Sequence, residues 1–248
     1  MRTVQVTRYV TPLREGGSMP AVVEADDNGL YVLKFRGAGQ GAKALVAELL
    51  GGELARAAGL PVPEIVFAEL DPDLARTEPD PEIQELIRAS AGLNLALDYL
   101  PGSVMFDPLV DAPDAALASS IVWLDALITN IDRTARNTNL LMWHRKLWLI
   151  DHGAALFFHH GTADFGSRAR DAFPQVKDHV LLGFADRLRE VDEAMAARLG
   201  AGVVRAIAGH VPAGWSDAAQ AYVDYFAARL APPRPFLEEA VRARSQHL

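Results

Sequence analysis

A polar segment at residues 130–139 contains Asp132 and, five positions later, Asn137. Asp151 follows Asn137 by fourteen positions, directly after the apolar residues 147–150. A carboxylate at the end of a buried strand needs a partner or a metal ion. Phosphoryl transfer uses such a set: one Asp orients the attacking hydroxyl, while an Asn and a second Asp hold Mg²⁺ on the nucleotide phosphates. Asp132 or Asn137 alone could cap a turn, but the spacing of all three residues indicates this chemistry.

Lys34 is a second candidate, because the chain has only four lysines among its 24 basic residues. In the apolar segment 30–35, strand alternation places Leu30, Val32 and Lys34 on one face. An ammonium group on an apolar face needs an anion.

The first hundred residues predict a strand-rich unit. Asn28-Gly29 is typical of the tight turn of a β-hairpin. Apolar β-type residues predict strands at residues 22–23, 30–35, 65–70 and 93–99. A short helix is expected at residues 81–89, between the last two strands.

One main helix is predicted in this half of the chain, over residues 45–58. Its apolar residues are spaced three and four apart, and Gly59 is a typical stop signal. Gly51 and Gly52 weaken the helix, since glycine costs about 1 kcal/mol relative to Ala in a helix interior. A close packing contact would explain both glycines.

The second half predicts helices and one hairpin. Asp114 is a good N-cap for a largely buried helix that runs to Thr129. Residues 140–143 and 147–150 predict a hairpin, and the chain is helical beyond Asp178. Together the two halves predict an α+β fold.

Composition excludes several classes of protein. The 248 residues are 50% apolar, enough for one large domain or two small lobes. The net charge of −8 and the lack of a basic cluster argue against nucleic-acid binding. The sequence has no cysteine, so disulfides, thiolate metal sites and cysteine nucleophiles are excluded. No signal-peptide core is evident near the start, and Asp125 interrupts the longest apolar run. We therefore expect a soluble, cytoplasmic protein without membrane contact.

The two motifs, residues 132–137 and 151–153, resemble the catalytic loop and the metal-binding motif of the protein-kinase-like fold. Asn130, where ordinary kinases have His, and His152 within the second motif are more similar to the HipA-like kinase family. The resemblance covers about residues 15–156. It implies a bilobal fold: a β-rich N-lobe with one main helix over residues 1–100 and an α-rich C-lobe over residues 101–248, together one catalytic domain.

The resemblance also implies a role for each site residue. Asp132 would be the catalytic base, and Asn137 and Asp151 would be the Mg²⁺ ligands. Lys34 would bind the α- and β-phosphates of ATP and pair with Glu48. Glu53, on the same helix, is a rival for that pairing.

Two backbone segments would complete the nucleotide site. Gly16, Gly17 and Ser18 would cover the phosphates, although the glycine-rich residues 37–41 compete for this role. A connector would present backbone groups to adenine, and it consists of Asp98, Tyr99 and Leu100.

The function implied is an ATP- and Mg²⁺-dependent kinase that acts on a hydroxyl acceptor, a protein Ser or Thr by this resemblance. One alternative is a small-molecule kinase of the aminoglycoside-phosphotransferase type, and another is a non-catalytic module that binds nucleotide or a partner. An acidic pocket would favour cationic small molecules, and a shallow groove would favour protein. Arg168 and Arg170 would suit an acidic substrate or form an exposed basic pair. His159-His160 is assigned to a loop and not to a metal site.

Overall fold

The computed structural model describes residues 1–13, 19–39, 41–161 and 164–246. The predicted phosphate-covering residues Gly16, Gly17 and Ser18 lie outside these ranges. The described chain is a mixed α/β structure, and its strands are concentrated in the first hundred residues.

Five strands form a closed sheet: β1 (Thr3–Pro12), β2 (Ala21–Ala25), β3 (Leu30–Lys34), β4 (Ile65–Leu70) and β5 (Gly92–Asp98). Their order around the sheet is β1-β2-β3-β5-β4. Neighbouring strands are antiparallel except β1 and β4, which pair in parallel with Thr3 opposite Phe67. The predicted hairpin joins β2 to β3, and Asn28 adopts the positive φ of 64° that this turn needs.

The predicted main helix is α1 (Ala42–Ala57), and Gly59 follows it with φ 82°, as expected of a glycine stop. The predicted close contact at its two glycines is confirmed. A Cβ on Gly51 would lie 2.7 Å from His152 Cβ, and one on Gly52 would lie 2.4 Å from Ile65 Cδ1. The glycines therefore let α1 approach both β4 and the Asp-His-Gly motif, which is residues 151–153.

A second helix, α2 (Pro81–Ala89), occupies the predicted position between β4 and β5. Residues 104–149 contain a three-stranded sheet of β6 (Val104–Met105), β7 (Leu140–Trp143) and β8 (Lys146–Leu149). Between β6 and β7 lies α3 (Ala115–Leu127), whose N-cap Asp114 accepts hydrogen bonds from two backbone N–H groups, as predicted.

The rest of the described chain is mainly helical. Its α-helices are α4 (Phe165–Arg168), α5 (Leu188–Arg198), α6 (Ala201–Ala208), α7 (Ala219–Leu230) and α8 (Pro235–Gln246). Leu49 and Leu50 of α1 belong to the same hydrophobic cluster as Trp123 and Leu124 of α3. No helix in the ranges described above is both long and apolar enough to cross a membrane.

Candidate active site

Lys34 stands between two carboxylates. Its Nζ lies 2.6 Å from Glu48 Oε2 and 2.5 Å from Asp151 Oδ1. Burial by itself would lower the pKa of Lys34, but the two carboxylates outweigh burial and raise this pKa. Lys34 is therefore a fixed cation, and the structure supplies the anion that the sequence required.

Glu48 on α1 is fully buried. The sequence around it does not indicate this burial. Burial would raise the pKa of its carboxyl group, but Lys34 and His152 hold this pKa well below its usual range. His152 Nδ1 lies 3.6 Å from Glu48 Oε1. The rival Glu53 pairs instead with Arg56, one turn away on the same helix. The structure thus places Glu48 beside Lys34.

Asp132 is oriented by the amides of its own loop. Its Oδ2 accepts hydrogen bonds from Asn137 Nδ2 at 2.8 Å and from Asn139 Nδ2 at 3.3 Å. The backbone N–H of Ile150 donates to the carbonyl of Asn139 at 3.1 Å, which brings this loop against the segment that leads to Asp151. Asp132, Asn137 and Asp151 are therefore on adjoining segments.

A buried ionic cluster below this loop was not predicted. Asp125 binds Arg133 Nε at 2.6 Å and His179 Nε2 at 2.9 Å. Burial would raise the pKa of Asp125, but Arg133 and His179 hold this pKa well below its usual range. The one sequence signal of this cluster is Asp125 itself, a lone charge within an apolar helix. Its role was not predicted, because only the tertiary structure shows its partners.

The HipA-like kinase family model matches residues 6–238, nearly the whole chain. The chain belongs to the HipA-like kinase family. It is accordingly a kinase, a phosphotransferase. Among curated proteins, none matches the sequence.

Solved kinase structures share the fold of this HipA-like kinase. The Helicobacter pylori proinflammatory kinase CtkA has a TM-score of 0.60 at 12% identity, covering 99% of both chains. The Golgi casein kinase has a TM-score of 0.56 at 12% identity, covering 98% of this chain and 72% of the other. A structure of that kinase with Mn/ADP bound has a TM-score of 0.55 at 12% identity, covering 99% and 73%. At this level of identity the similarity establishes the kinase-like fold alone.

The connector predicted to contact adenine begins at Asp98, the last residue of β5. The N–H of Asp98 donates to the carbonyl of Glu64 at 2.8 Å, and the N–H of Tyr99 donates to that of Leu30 at 2.9 Å. The N–H of Leu100 has no hydrogen-bond partner within the described ranges. Of these three N–H groups, Leu100 therefore offers the free one.

The competing glycine-rich loop lies between β3 and α1. The N–H of Gly37 donates to Ser90 Oγ at 3.0 Å, while Gly39 and Gly41 have φ of 51° and 69°. These positive angles lie in the left-handed region, which glycine adopts at no steric cost.

The oxygen atoms of the HipA-like site fit Mg²⁺. Asn137 uses its amide nitrogen as a donor, so its carbonyl oxygen is available, and Asp151 is 42% exposed beyond its bond to Lys34. No three His, Cys, Asp or Glu side chains of the described residues cluster closely enough to hold a metal ion. Mg²⁺ is commonly bound by one or two carboxylates plus substrate phosphates, and it does not need such a cluster.

Two other predicted candidates, Arg168 and Arg170, contact other parts of the protein. Arg170 donates to the carbonyls of Ala231 and Pro233, and Arg168 pairs with Asp171 at 3.1 Å. Both basic side chains therefore have partners on the protein itself.

Proposed function

We propose that this chain is an ATP- and Mg²⁺-dependent kinase that transfers the γ-phosphoryl group to the hydroxyl of a protein Ser or Thr. The observation that carries the proposal is the meeting of Lys34, Glu48 and Asp151 beside the loop that holds Asp132 and Asn137. The Mn/ADP-bound structure of the Golgi casein kinase, which has a similar fold, supports the use of a nucleotide and a divalent metal.

In this proposal, Asn137 and Asp151 hold Mg²⁺ through their side-chain oxygens. The bound cation would neutralise charge on the phosphates. Lys34 binds the α- and β-phosphates, and buried Glu48 keeps its ammonium group in place. Asp132 accepts the proton of the acceptor hydroxyl with its Oδ1, because Oδ2 is already bonded to Asn137 and Asn139.

The nucleotide would lie between two lobes, residues 1–100 and 101–248. Lys34 and Glu48 belong to the first range, and Asp132 and Asp151 belong to the second. The free N–H of Leu100 at the junction is our candidate donor to adenine.

The surroundings of Asp132 favour a protein acceptor over a cationic small molecule. Ile131, Ala135, Arg136 and Asn137 are all exposed around the half-buried Asp132. A pocket for a cationic acceptor would be enclosed and acidic, whereas this surface is open and carries a basic side chain.

The test combines nucleotide binding with transfer. At a hundredfold excess over its dissociation constant, MgATP should stabilise the fold by about 2.7 kcal/mol, which corresponds to a melting shift of roughly 5–10 °C for a chain of this size. Asp151→Asn should lose the Mg²⁺-dependent part of this shift, because an amide is a poor substitute for a carboxylate on a hard cation.

With radiolabelled ATP as the donor, the protein should then phosphorylate Ser/Thr peptide libraries. Labelling of aminoglycosides but not of peptides would indicate the small-molecule alternative. Binding without any transfer would indicate a non-catalytic module, and no binding at all would contradict the whole proposal.

A further inference from the structure

Arg133 is fully buried directly beside the proposed base, Asp132. Its Nε donates to Asp125 Oδ2 at 2.6 Å, and Asp125 is itself fully buried. The same carboxylate is bonded to His179 Nε2 at 2.9 Å and to Asn130 Nδ2 at 3.0 Å. His179 Nδ1 accepts a hydrogen bond from a backbone N–H, so Nε2 carries the hydrogen and donates it to Asp125. These contacts fix one side of the guanidinium group.

The other side of Arg133 contacts two separate backbone segments. Its Nη1 donates to the carbonyl of Asn139 and, at 3.3 Å, to the carbonyl of Ile150. Asn139 ends the loop that carries Asp132, and Ile150 directly precedes Asp151. One buried side chain therefore joins the loop of the proposed base to the segment of the proposed metal ligand.

The two joined segments have unusual backbone angles. Asn139 has φ 48° and Asp151 has φ 54°, in the left-handed region that residues with a side chain seldom adopt. Such conformations persist where surrounding contacts over-determine them. The carbonyls that Arg133 binds belong to Asn139 itself and to the residue before Asp151, so the guanidinium supplies these contacts at both places.

We propose that Arg133 is a positioning residue that sets the placement of Asp132 and Asn137 relative to Asp151. The functional part of this inference rests on the proposed kinase function. A planar guanidinium has five N–H donors in fixed directions and can hold the carboxylate and both carbonyls at once. A lysine ammonium in its place would keep the charge opposite Asp125 but could not reproduce that geometry.

The matched comparison is Arg133→Lys against Arg234→Lys. Arg234 is also buried and pairs with Asp192 at 2.5 Å, but its bonded partners, Asp192, Glu193 and the carbonyl of Leu230, all belong to α5 and α7 and not to the loops of the site. Both variants should lower the melting temperature. Without nucleotide, and well below both melting temperatures, hydrogen exchange at the Ile150 amide should be at least about tenfold faster in Arg133→Lys. Arg234→Lys should exchange there at the wild-type rate.

Turnover provides the second readout. Loss of a residue that orients metal ligands typically costs about 10–100-fold in metal affinity or activity. Arg133→Lys should therefore need about 10–100-fold more Mg²⁺ for half-maximal ATP turnover, whereas Arg234→Lys should keep the wild-type Mg²⁺ requirement.

Equal Ile150 exchange in Arg133→Lys and Arg234→Lys would overturn the inference. If Arg133→Lys does not fold, Asp125→Asn replaces it, because this change keeps the size of the side chain but removes the charge that orients Arg133. Ile150 exchange should rise there too, and an unchanged rate again overturns the inference. A wild-type protein that binds no nucleotide would contradict the proposed function alone, since the exchange comparison needs no nucleotide.

Discussion

The ammonium nitrogen of Lys34 lies 2.5 Å from Asp151 Oδ1, although the two residues are 117 positions apart in the sequence. Lys34 ends β3 of the closed sheet, and Asp151 follows β8 of the second sheet. The same ammonium also binds Glu48, so one cation is shared by two carboxylates. One cation therefore links the two distant segments of the proposed nucleotide site.

Lys34→Met should destabilise the protein by about 3–5 kcal/mol, because it leaves the fully buried Glu48 carboxylate without its cation. Nucleotide affinity should also fall, while the preference for Mg²⁺ persists through Asp151. Urea denaturation measures the first effect, and calorimetry the second. The double variant Lys34→Met/Glu48→Gln should recover part of the lost stability. A double variant no more stable than Lys34→Met would show that the buried charge is not the cause.

Asp132→Asn should separate catalysis from binding. The change removes the proton acceptor but keeps an oxygen that Asn137 and Asn139 can still bond. Turnover should fall by about 10²–10⁴-fold, or roughly 2.7–5.5 kcal/mol of barrier, with ATP affinity nearly unchanged. Because the acceptor is unknown, ATP hydrolysis and autophosphorylation are the first assays. Wild-type turnover by a folded Asp132→Asn variant would exclude Asp132 as the base.

Local sequence signals predicted the elements well. Asn28-Gly29 marked a hairpin, Gly59 marked the end of α1, and the paired glycines in α1 correctly indicated a close contact. Each of these signals depends on the conformation or size of a single residue and its neighbours. They were therefore visible without knowledge of the fold.

Long-range relationships were less accessible. The parallel pairing of β1 with β4, which closes the sheet, leaves no short-range pattern in the sequence. Glu48 looked like any helix glutamate, and only the resemblance to a kinase motif singled it out. Arg133 looked like one more polar residue of a loop, because its burial depends on Asp125 and on His179, which is 46 positions further along the chain.

Gly51→Ala should destabilise the protein, contrary to the usual effect of this substitution in a helix. In a helix interior, alanine ordinarily stabilises the helix by about 1 kcal/mol relative to glycine. Here the new Cβ would lie 2.7 Å from His152 Cβ, so overpacking should cost about 1–3 kcal/mol. The displaced His152 should also move Asp151 and weaken Mg²⁺-dependent nucleotide binding.

Gly202→Ala in α6 is the matched control for Gly51→Ala, because, apart from its chain neighbours and the backbone of its own helix, no atom among the described residues lies within 4 Å of its added Cβ. It should be neutral or stabilising by up to about 1 kcal/mol. Chemical denaturation of both variants tests whether Gly51→Ala lowers the free energy of unfolding while Gly202→Ala does not. Stabilisation by Gly51→Ala would mean that α1 and the Asp-His-Gly motif are not in close contact in solution.

Stability should decrease with falling pH because of His159. Its ring is buried, Nδ1 lies 2.9 Å from the hydroxyl of Tyr222, and burial, with His160 and Lys43 nearby, lowers its pKa to about 3. An unfolded histidine takes up a proton near pH 6.5. Between these two values the unfolded state binds more protons than the folded state, so acid favours unfolding. The stabilising effect of the neutral ring is complete above about pH 6.5 and is lost progressively down to about pH 3.

The free energy of unfolding should therefore fall by about 1 kcal/mol between pH 6 and pH 5 through His159 alone. This interval lies above the titration range of most carboxyl groups, which isolates the histidine contribution. Urea denaturation at each pH gives the slope of the unfolding free energy against pH. His159→Gln should remove the His159 share of that slope, because glutamine does not titrate. Tyr222→Phe removes the bonded hydroxyl but keeps the imidazole, so its slope should stay at the wild-type value. An identical slope in wild type and His159→Gln would mean that the His159 ring takes up its proton in the folded protein as readily as in the unfolded chain.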